Sequence, residues 1–374
     1  MNFYRDTFAE VDLDLLEHNL KCIQDKIKDK KMIAVIKANG YGHGALEIAK
    51  EVLRLGCKTL AVSSLDEALT LRSQGITADI LVLGYTRPMD ASLAMYHNIT
   101  LTAPSVEWCS RLERMMPEDK LKVHIKVDTG MNRLGMRCVE EVVEAIHILR
   151  EKRICVDGIF THYACSDQVE GTFTLKQYQE FASIVKGSNY TFPYIHASNS
   201  DATMREVKED ITNAVRVGLV MYGISDFDED VRPILSLYTR LTHVHKMEEG
   251  EGVGYSQTYH SDTPEWIGTV PIGYADGWVR ANQGRVCYIE DTACEFVGRI
   301  CMDQAMIRLD REYPVDTLVE LIGPHCPLKR VSDELGTISY EVVCLLTDRV
   351  PRVYRRGGKV VGIENPRMRY TIPR

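Results

Sequence analysis

Leu13, Leu16, Leu20, Ile23 and Ile27 recur at alternating spacings of three and four behind Asp12. That spacing predicts an amphipathic helix with Asp12 as its N-cap. A short apolar run, Ile33-Ala34-Val35-Ile36, follows and ends on Lys37. It reads as a buried strand that carries an amine at its carboxyl end. A helical stretch then covers 45–55, an apolar run covers 59–64, and further strand candidates lie at 79–85, 98–102, 122–127, 156–162, 194–197 and 214–220. Helical spacings separate most of them, as in Val139, Val142, Val143, Ile146 and Leu149. Eight apolar strands interleaved with helices predict an α/β fold, an N-terminal (β/α)8 TIM-like barrel rather than an open doubly wound sheet.

The texture changes after Gly223. Asp226-Phe227-Asp228-Glu229-Asp230 reads as an acidic connector, and segments at 236–247, 266–272, 285–290, 295–300 and 305–309 are β-rich and divided by turn residues. The expected domains are therefore a barrel over 1–230 and a C-terminal, mainly β domain over 231–374.

Composition narrows the function classes. The 374 residues are 45% hydrophobic and 26% charged, with a formal net charge of -8, which suits a globular enzyme and argues against a nucleic-acid partner. The one basic cluster, Arg352 to Lys359, contains a Gly-Gly pair and reads as a solvated hairpin. Eleven scattered cysteines without a Cys-x-x-Cys pair point to a reducing compartment and no disulfide framework. The N-terminus lacks the apolar core of a signal peptide, and no apolar run reaches the length of a membrane span. The expected location is the cytoplasm, either as a whole protein or as the cytoplasmic domain of a larger membrane protein.

In a barrel, chemistry collects at the carboxyl ends of the strands, and unexpected polar residues fall there. Lys37 ends the first strand; Lys126 and Asp128 end Val-His-Ile-Lys-Val-Asp, with Arg133 just beyond; His162 ends another; Asn199 and Ser200 follow His196; Arg216 stands inside Ala-Val-Arg-Val-Gly-Leu. Each alone has an ordinary structural explanation, such as a snorkelling lysine, a core histidine or a buried ion pair. Their common position favours a site. A buried lysine shifts toward its neutral, nucleophilic form, the condition for a Schiff-base lysine. His243-Val244-His245 lacks a carboxylate or cysteine at ligand spacing, so no metal site is expected. Gly40-Tyr41-Gly42-His43-Gly44 has neither a dinucleotide fingerprint nor a P-loop ending, although its backbone amides suit a single phosphate.

The stretch from Ala34 to Gly44, Ala-Val-Ile-Lys-Ala-Asn-Gly-Tyr-Gly-His-Gly, closely resembles the pyridoxal-phosphate attachment motif of alanine racemases. The resemblance continues through His-Ala-Ser-Asn-Ser at 196–200, Arg-Val-Gly-Leu-Val-Met-Tyr-Gly at 216–223, Gly-Val-Gly-Tyr at 252–255, Ile-Gly-Tyr-Ala-Asp-Gly at 272–277 and Gly-Arg-Ile-Cys-Met-Asp-Gln at 298–304. It implies a barrel plus β domain in a head-to-tail homodimer, with pyridoxal 5'-phosphate as cofactor and a small amino acid as substrate. The activity implied is interconversion of L- and D-alanine, supplying D-amino acid for cell-wall peptidoglycan. Carried over motif by motif, Lys37 would hold the cofactor and act as one acid/base, and Tyr255 of the partner subunit would be the opposite base. Arg216 would face the pyridine nitrogen and His162 would pack near the ring. Tyr41, Ser200, Gly218, Leu219 and Tyr340 would hold the phosphate, while Arg133 and Met302 would flank the substrate carboxylate and the phenolic oxygen of the cofactor. Lys126, carbamylated in many relatives, would orient Arg133, with Asn199, Tyr274, Cys301 and Asp303 in support. An arginine only donates hydrogen bonds, so it would leave the pyridine nitrogen unprotonated and suit removal and return of one proton.

Three alternatives weigh against this reading. A serine racemase, as in the racemase domains of vancomycin-resistance membrane proteins, differs in substrate by one hydroxyl, and an apolar pocket discriminates poorly against it. An amino-acid decarboxylase of the same architecture would place an acidic residue where Arg216 stands and would lack the Tyr255 motif. A pyridoxal-phosphate carrier built as a lone barrel would have no use for the β domain.

Overall fold

The computed structural model describes residues 3–368, apart from 117, 119, 169, 228 and 229. Asp228 and Glu229 of the acidic connector thus lie outside the described residues. The chain forms two compact units: one of residues 17–40 and 45–232, the other of residues up to 16, 41–44, and from 233 on.

The first unit is a closed barrel of eight parallel strands, Lys31–Val35, Thr59–Val62, Asp79–Val82, Ile99–Ala103, Lys122–Lys126, Cys155–Phe160, Tyr194–His196 and Ala214–Val217. The last strand closes on the first in register Lys31↔Ala214 through Ala34↔Val217. Thr59–Val62, Ile99–Ala103 and Ala214–Val217 are buried at every position, because helices cover one face and barrel packing covers the other. All eight strand candidates are present. The helix predicted behind Asp12 spans Leu13–Ile27, and Asp12 Oδ1 accepts from the amides of Asp14 at 2.9 Å and Leu15 at 3.0 Å.

The second unit is a ten-stranded sheet. From edge to edge it runs His243–Met247, Glu265–Val270, Ala305–Leu309, Thr292–Val297, Val286–Ile289, Leu318–Ile322, Leu235–Arg240, Phe8–Asp12, Arg352–Arg356 and Lys359–Glu364. The first strand of the chain thus belongs to this sheet, although the sequence reading gave all of 1–230 to the barrel. It pairs antiparallel with Leu235–Arg240 and parallel with Arg352–Arg356, partners that local periodicity cannot reveal.

The basic cluster is a hairpin turning at Gly357 and Gly358, both with positive φ, but its first strand is not solvated as expected. Arg352 is 1% exposed and donates to the carbonyls of Gly42 at 2.8 Å, Leu346 at 2.8 Å, Thr347 at 2.6 Å and Val350 at 2.6 Å. A buried guanidinium is tolerable here because main-chain oxygens replace its hydration shell.

Candidate active site

In the barrel unit, the strand before Lys37 stops at Val35, two residues earlier than the sequence pattern implies. Lys37 then opens a turn in which Ala38, Asn39, Gly40 and Tyr41 all have φ between 51° and 61°. L-residues adopt that left-handed region at a cost, and such strain collects at functional sites. Side chains hold part of the turn in place: Glu67 Oε1 accepts from the Ala38 amide at 2.7 Å, and Asn39 Oδ1 accepts from the Ala45 amide at 2.9 Å.

Arg216 is 4% exposed inside its strand. Its Nη1 donates to His196 Nδ1 at 2.7 Å and the His196 carbonyl at 3.2 Å. Its Nη2 donates to the carbonyls of Thr161 at 2.7 Å and Ala197 at 2.8 Å, with His162 Nδ1 at 3.2 Å. Burial brings its pKa down to about 10, with the Glu209 carboxylate opposing the shift, so the group remains a cation. Glu209 is itself buried and accepts from Tyr163 at 2.6 Å, Ser198 at 2.8 Å and Thr212 at 2.6 Å.

Lys126 is 5% exposed, and its amine donates to the Val127 carbonyl at 2.5 Å. Burial first, then Arg216, pull its pKa from 10.5 to about 7, with Asp128 opposing. A lysine so placed spends part of its time at neutral pH as a free amine, the form that adds to CO2. His162 lies two residues past its strand, and its pKa is pushed well below the ordinary value by burial and by Arg216, Arg133, Lys126 and Lys37. Its ring is therefore neutral, and the basic groups around it mark this end of the barrel as a place for an anion. Arg133 itself is exposed.

Asn199 caps the turn Ser200–Met204, with Oδ1 accepting from the Ala202 amide at 3.1 Å. The Ser200 hydroxyl accepts from the amides of Gly218 at 3.1 Å and Val220 at 3.4 Å, which leaves its own proton to donate to a ligand. Gly218 and Leu219 lie two and three residues past Arg216, on the turn into Leu219–Tyr222. An amine, clustered cations, a neutral ring and a hydroxyl on a tight turn fit a phosphorylated aromatic aldehyde, the chemistry of pyridoxal phosphate.

The remaining sequence-predicted residues lie in the β unit. Tyr41 belongs to the 41–44 segment, which packs so closely on the helix Ser339–Cys344 that a Cβ on Gly42 would come within 2.1 Å of the Val343 carbonyl oxygen. That helix carries Tyr340. Tyr255 is 69% exposed on a turn whose neighbours Gly254, Ser256 and Gln257 all have positive φ. It lines an open groove of about 610 Å³ with Val253, His245, Cys301, Met302 and Asp303. The Cys301–Asp303 loop is bonded to the turn that bears Tyr274: the amides of Tyr274 and Ala275 donate to the carbonyls of Cys301 at 3.1 Å and Met302 at 3.0 Å. Asp276, fully buried, takes both Arg5 nitrogens, and Arg5 Nη2 reaches the Asp303 carbonyl at 3.0 Å. His243 and His245 are exposed and stacked at 5.1 Å, and no group able to hold a metal ion occurs among the described residues.

Glu67, Glu209, Asp276 and the pair His124 and His196 were not singled out from the sequence. Only Glu67 carried a local signal, a serine three residues before it as in a capping box, which the structure forms between Ser64 and Glu67.

Residues 11–226 match the family model for the alanine racemase N-terminal domain, and residues 234–354 match the alanine racemase C-terminal domain. Alanine racemase 1 of Bacillus subtilis is 40% identical, over 99% of this chain and 98% of its own length. The alanine racemase of Bacillus anthracis, solved with L-Ala-P bound, superposes with a TM-score of 0.93 at 39% identity, covering 98% of this chain and 99% of that one. The histidine racemase of Leuconostoc mesenteroides superposes with a TM-score of 0.89 at 28% identity, covering 94% of this chain and 99% of that one.

Proposed function

The chain belongs to the alanine racemase family, and from that premise we propose that it interconverts L- and D-alanine with pyridoxal 5'-phosphate, providing D-alanine for cell-wall peptidoglycan in the cytoplasm. The observation that carries the proposal is near-40% identity over almost the entire length of a protein named for that activity.

When bound, pyridoxal phosphate withdraws electrons from the substrate's Cα and makes its proton acidic. The chain's residues do the rest. By the resemblance, Tyr41, Ser200, Gly218, Leu219 and Tyr340 would hold the phosphate. Arg216 would donate to the ring nitrogen. Having only hydrogens to offer, it would leave that nitrogen without a proton and so limit the charge that accumulates away from Cα. Lys126, once its amine has added CO2 and released a proton to become an anionic carbamate, would accept from Arg133 and hold it to bind the substrate carboxylate, with Met302 flanking the same group. Lys37 Nζ would exchange a proton with Cα on one face and the hydroxyl oxygen of Tyr255 of the partner subunit on the other. Racemisation requires acid/base groups on both faces, and a lysine paired with a tyrosine meets that need.

The test is Cα-proton exchange and racemisation of alanine in deuterated water, with L-serine and L-histidine as competing substrates and the near-visible absorbance followed in parallel. Alanine should give the highest kcat/KM, and Lys37→Ala should abolish both the absorbance and the activity. An active Lys37→Ala protein, or a preference for serine, would overturn the proposal.

A further inference from the structure

Behind Arg216 the barrel holds two buried histidines that the mechanism leaves unused. His196 Nδ1 lies 2.7 Å from Arg216 Nη1, and His196 Nε2 lies 2.9 Å from His124 Nδ1. His196 is 0% exposed and His124 2%.

The hydrogen positions follow from Arg216. A guanidinium has hydrogens and no lone pair to offer, so His196 Nδ1 must accept. Burial and the neighbouring cations push both histidines below their ordinary pKa, so each ring is neutral and carries one proton. On His196 that proton sits on Nε2 and is donated to His124 Nδ1. On His124 it sits on Nε2, 3.8 Å from the Asp157 carboxylate. One permanent cation thereby sets the tautomer of both rings.

Packing keeps the rings in line. Phe160 stacks on His196 with centroids 4.8 Å apart and planes 7° from parallel. Gly158 faces His124, where a Cβ would come within 2.7 Å of the imidazole Nδ1 and Cε1. The strand has no side chain at the place where His124 must lie.

We propose that His124 is a positioning residue: by accepting the His196 Nε2–H bond it fixes the tautomer that turns a lone pair to Arg216, and so holds the guanidinium that faces the cofactor. The link to the cofactor rests on the function proposed above; the hydrogen-bond order does not. Without an acceptor at 124, His196 can carry its proton on Nδ1, setting hydrogen against hydrogen at Arg216 Nη1.

Two substitutions separate this role from simple space filling. Asparagine at 124 offers an oxygen near the position of Nδ1, whereas leucine offers bulk and no acceptor. His124→Leu should lower kcat/KM about tenfold, the usual effect of a lost buried hydrogen bond, and should weaken retention of pyridoxal phosphate. His124→Asn should stay within about twofold of the parent protein. Nitrogen-15 spectra of the cofactor-free, histidine-labelled protein should show His196 protonated on Nε2 in the parent and in His124→Asn, and on Nδ1 at least in part in His124→Leu. A leucine variant as active as the parent beside a weakened asparagine variant would overturn the proposal. So would an Nδ1 proton on His196 in the parent, a result that needs no substitution to fold. Failure to bind pyridoxal phosphate would sink the proposed function while the spectra still decide the hydrogen-bond order.

Discussion

Two buried cations sit side by side in the barrel, and the fold treats them differently. Arg216 keeps its charge because its two terminal nitrogens meet five carbonyl and imidazole acceptors, three at 2.7 or 2.8 Å and two at 3.2 Å. Lys126 donates to the Val127 carbonyl, and burial and the Arg216 charge bring its pKa down to about 7. The sign of the consequence is fixed by linkage. Between about pH 7 and 10.5 the unfolded chain carries a proton on this lysine that the folded chain has released, so folding stability rises with pH across that window. Below it the folded protein bears the full burden of a buried, poorly solvated charge. Lys126→Met should therefore flatten the stability profile and raise the urea midpoint most at the acid end, in carbonate-free buffer that keeps the amine unmodified. A parent profile that is already flat between about pH 7 and 10.5 would refute the shift. Lysine and arginine at the ends of apolar runs were legible in the sequence because charge interrupts an otherwise uniform pattern. His124 was not, because its partner His196 is 72 residues away and nothing local distinguishes it from a core histidine.

Elements repeat the same lesson. The eight barrel strands were legible because strands buried on both faces read as unbroken apolar runs. Phe8–Asp12 alternates half-buried and buried positions over only five residues, and what makes it a strand is pairing with 235–238 and 352–355, at the far end of the sequence. The Lys37 turn was legible as a turn but not as a left-handed one, since Ala38 and Asn39 carry no glycine signature. Its conformation depends on Glu67, whose carboxylate accepts from Ala38 at 2.7 Å and Ser63 at 2.7 Å while completing the Ser64 capping box. Glu67→Ala removes three functions at once and should cost about 1.5–3 kcal/mol in chemical denaturation, the range for hydrogen bonds to a charged acceptor. Glu67→Gln retains an oxygen and should recover most of it. If the alanine variant melts like the parent, the strained turn is held by something else.

At the scale of the whole molecule, the residues proposed for the two faces of the substrate lie in different units, Lys37 in one and Tyr255 in the other. Tyr255 and Met302 are 69% and 52% exposed in the single chain and line one groove, which a partner subunit of the proposed dimer would cover. If each site takes Lys37 from one chain and Tyr255 from its partner, two inactive proteins can restore one another. Lys37→Ala and Tyr255→Phe should each be inactive as homodimers. Co-expression at equal levels makes about half the dimers mixed, and each mixed dimer pairs an intact Lys37 with an intact Tyr255 in one of its two sites, so about a quarter of parent activity should return. Sites built within one chain would return nothing, because every chain then carries a defect in its own site. The ratio of the two variants provides a further check: recovered activity should peak at equal amounts and fall symmetrically on either side.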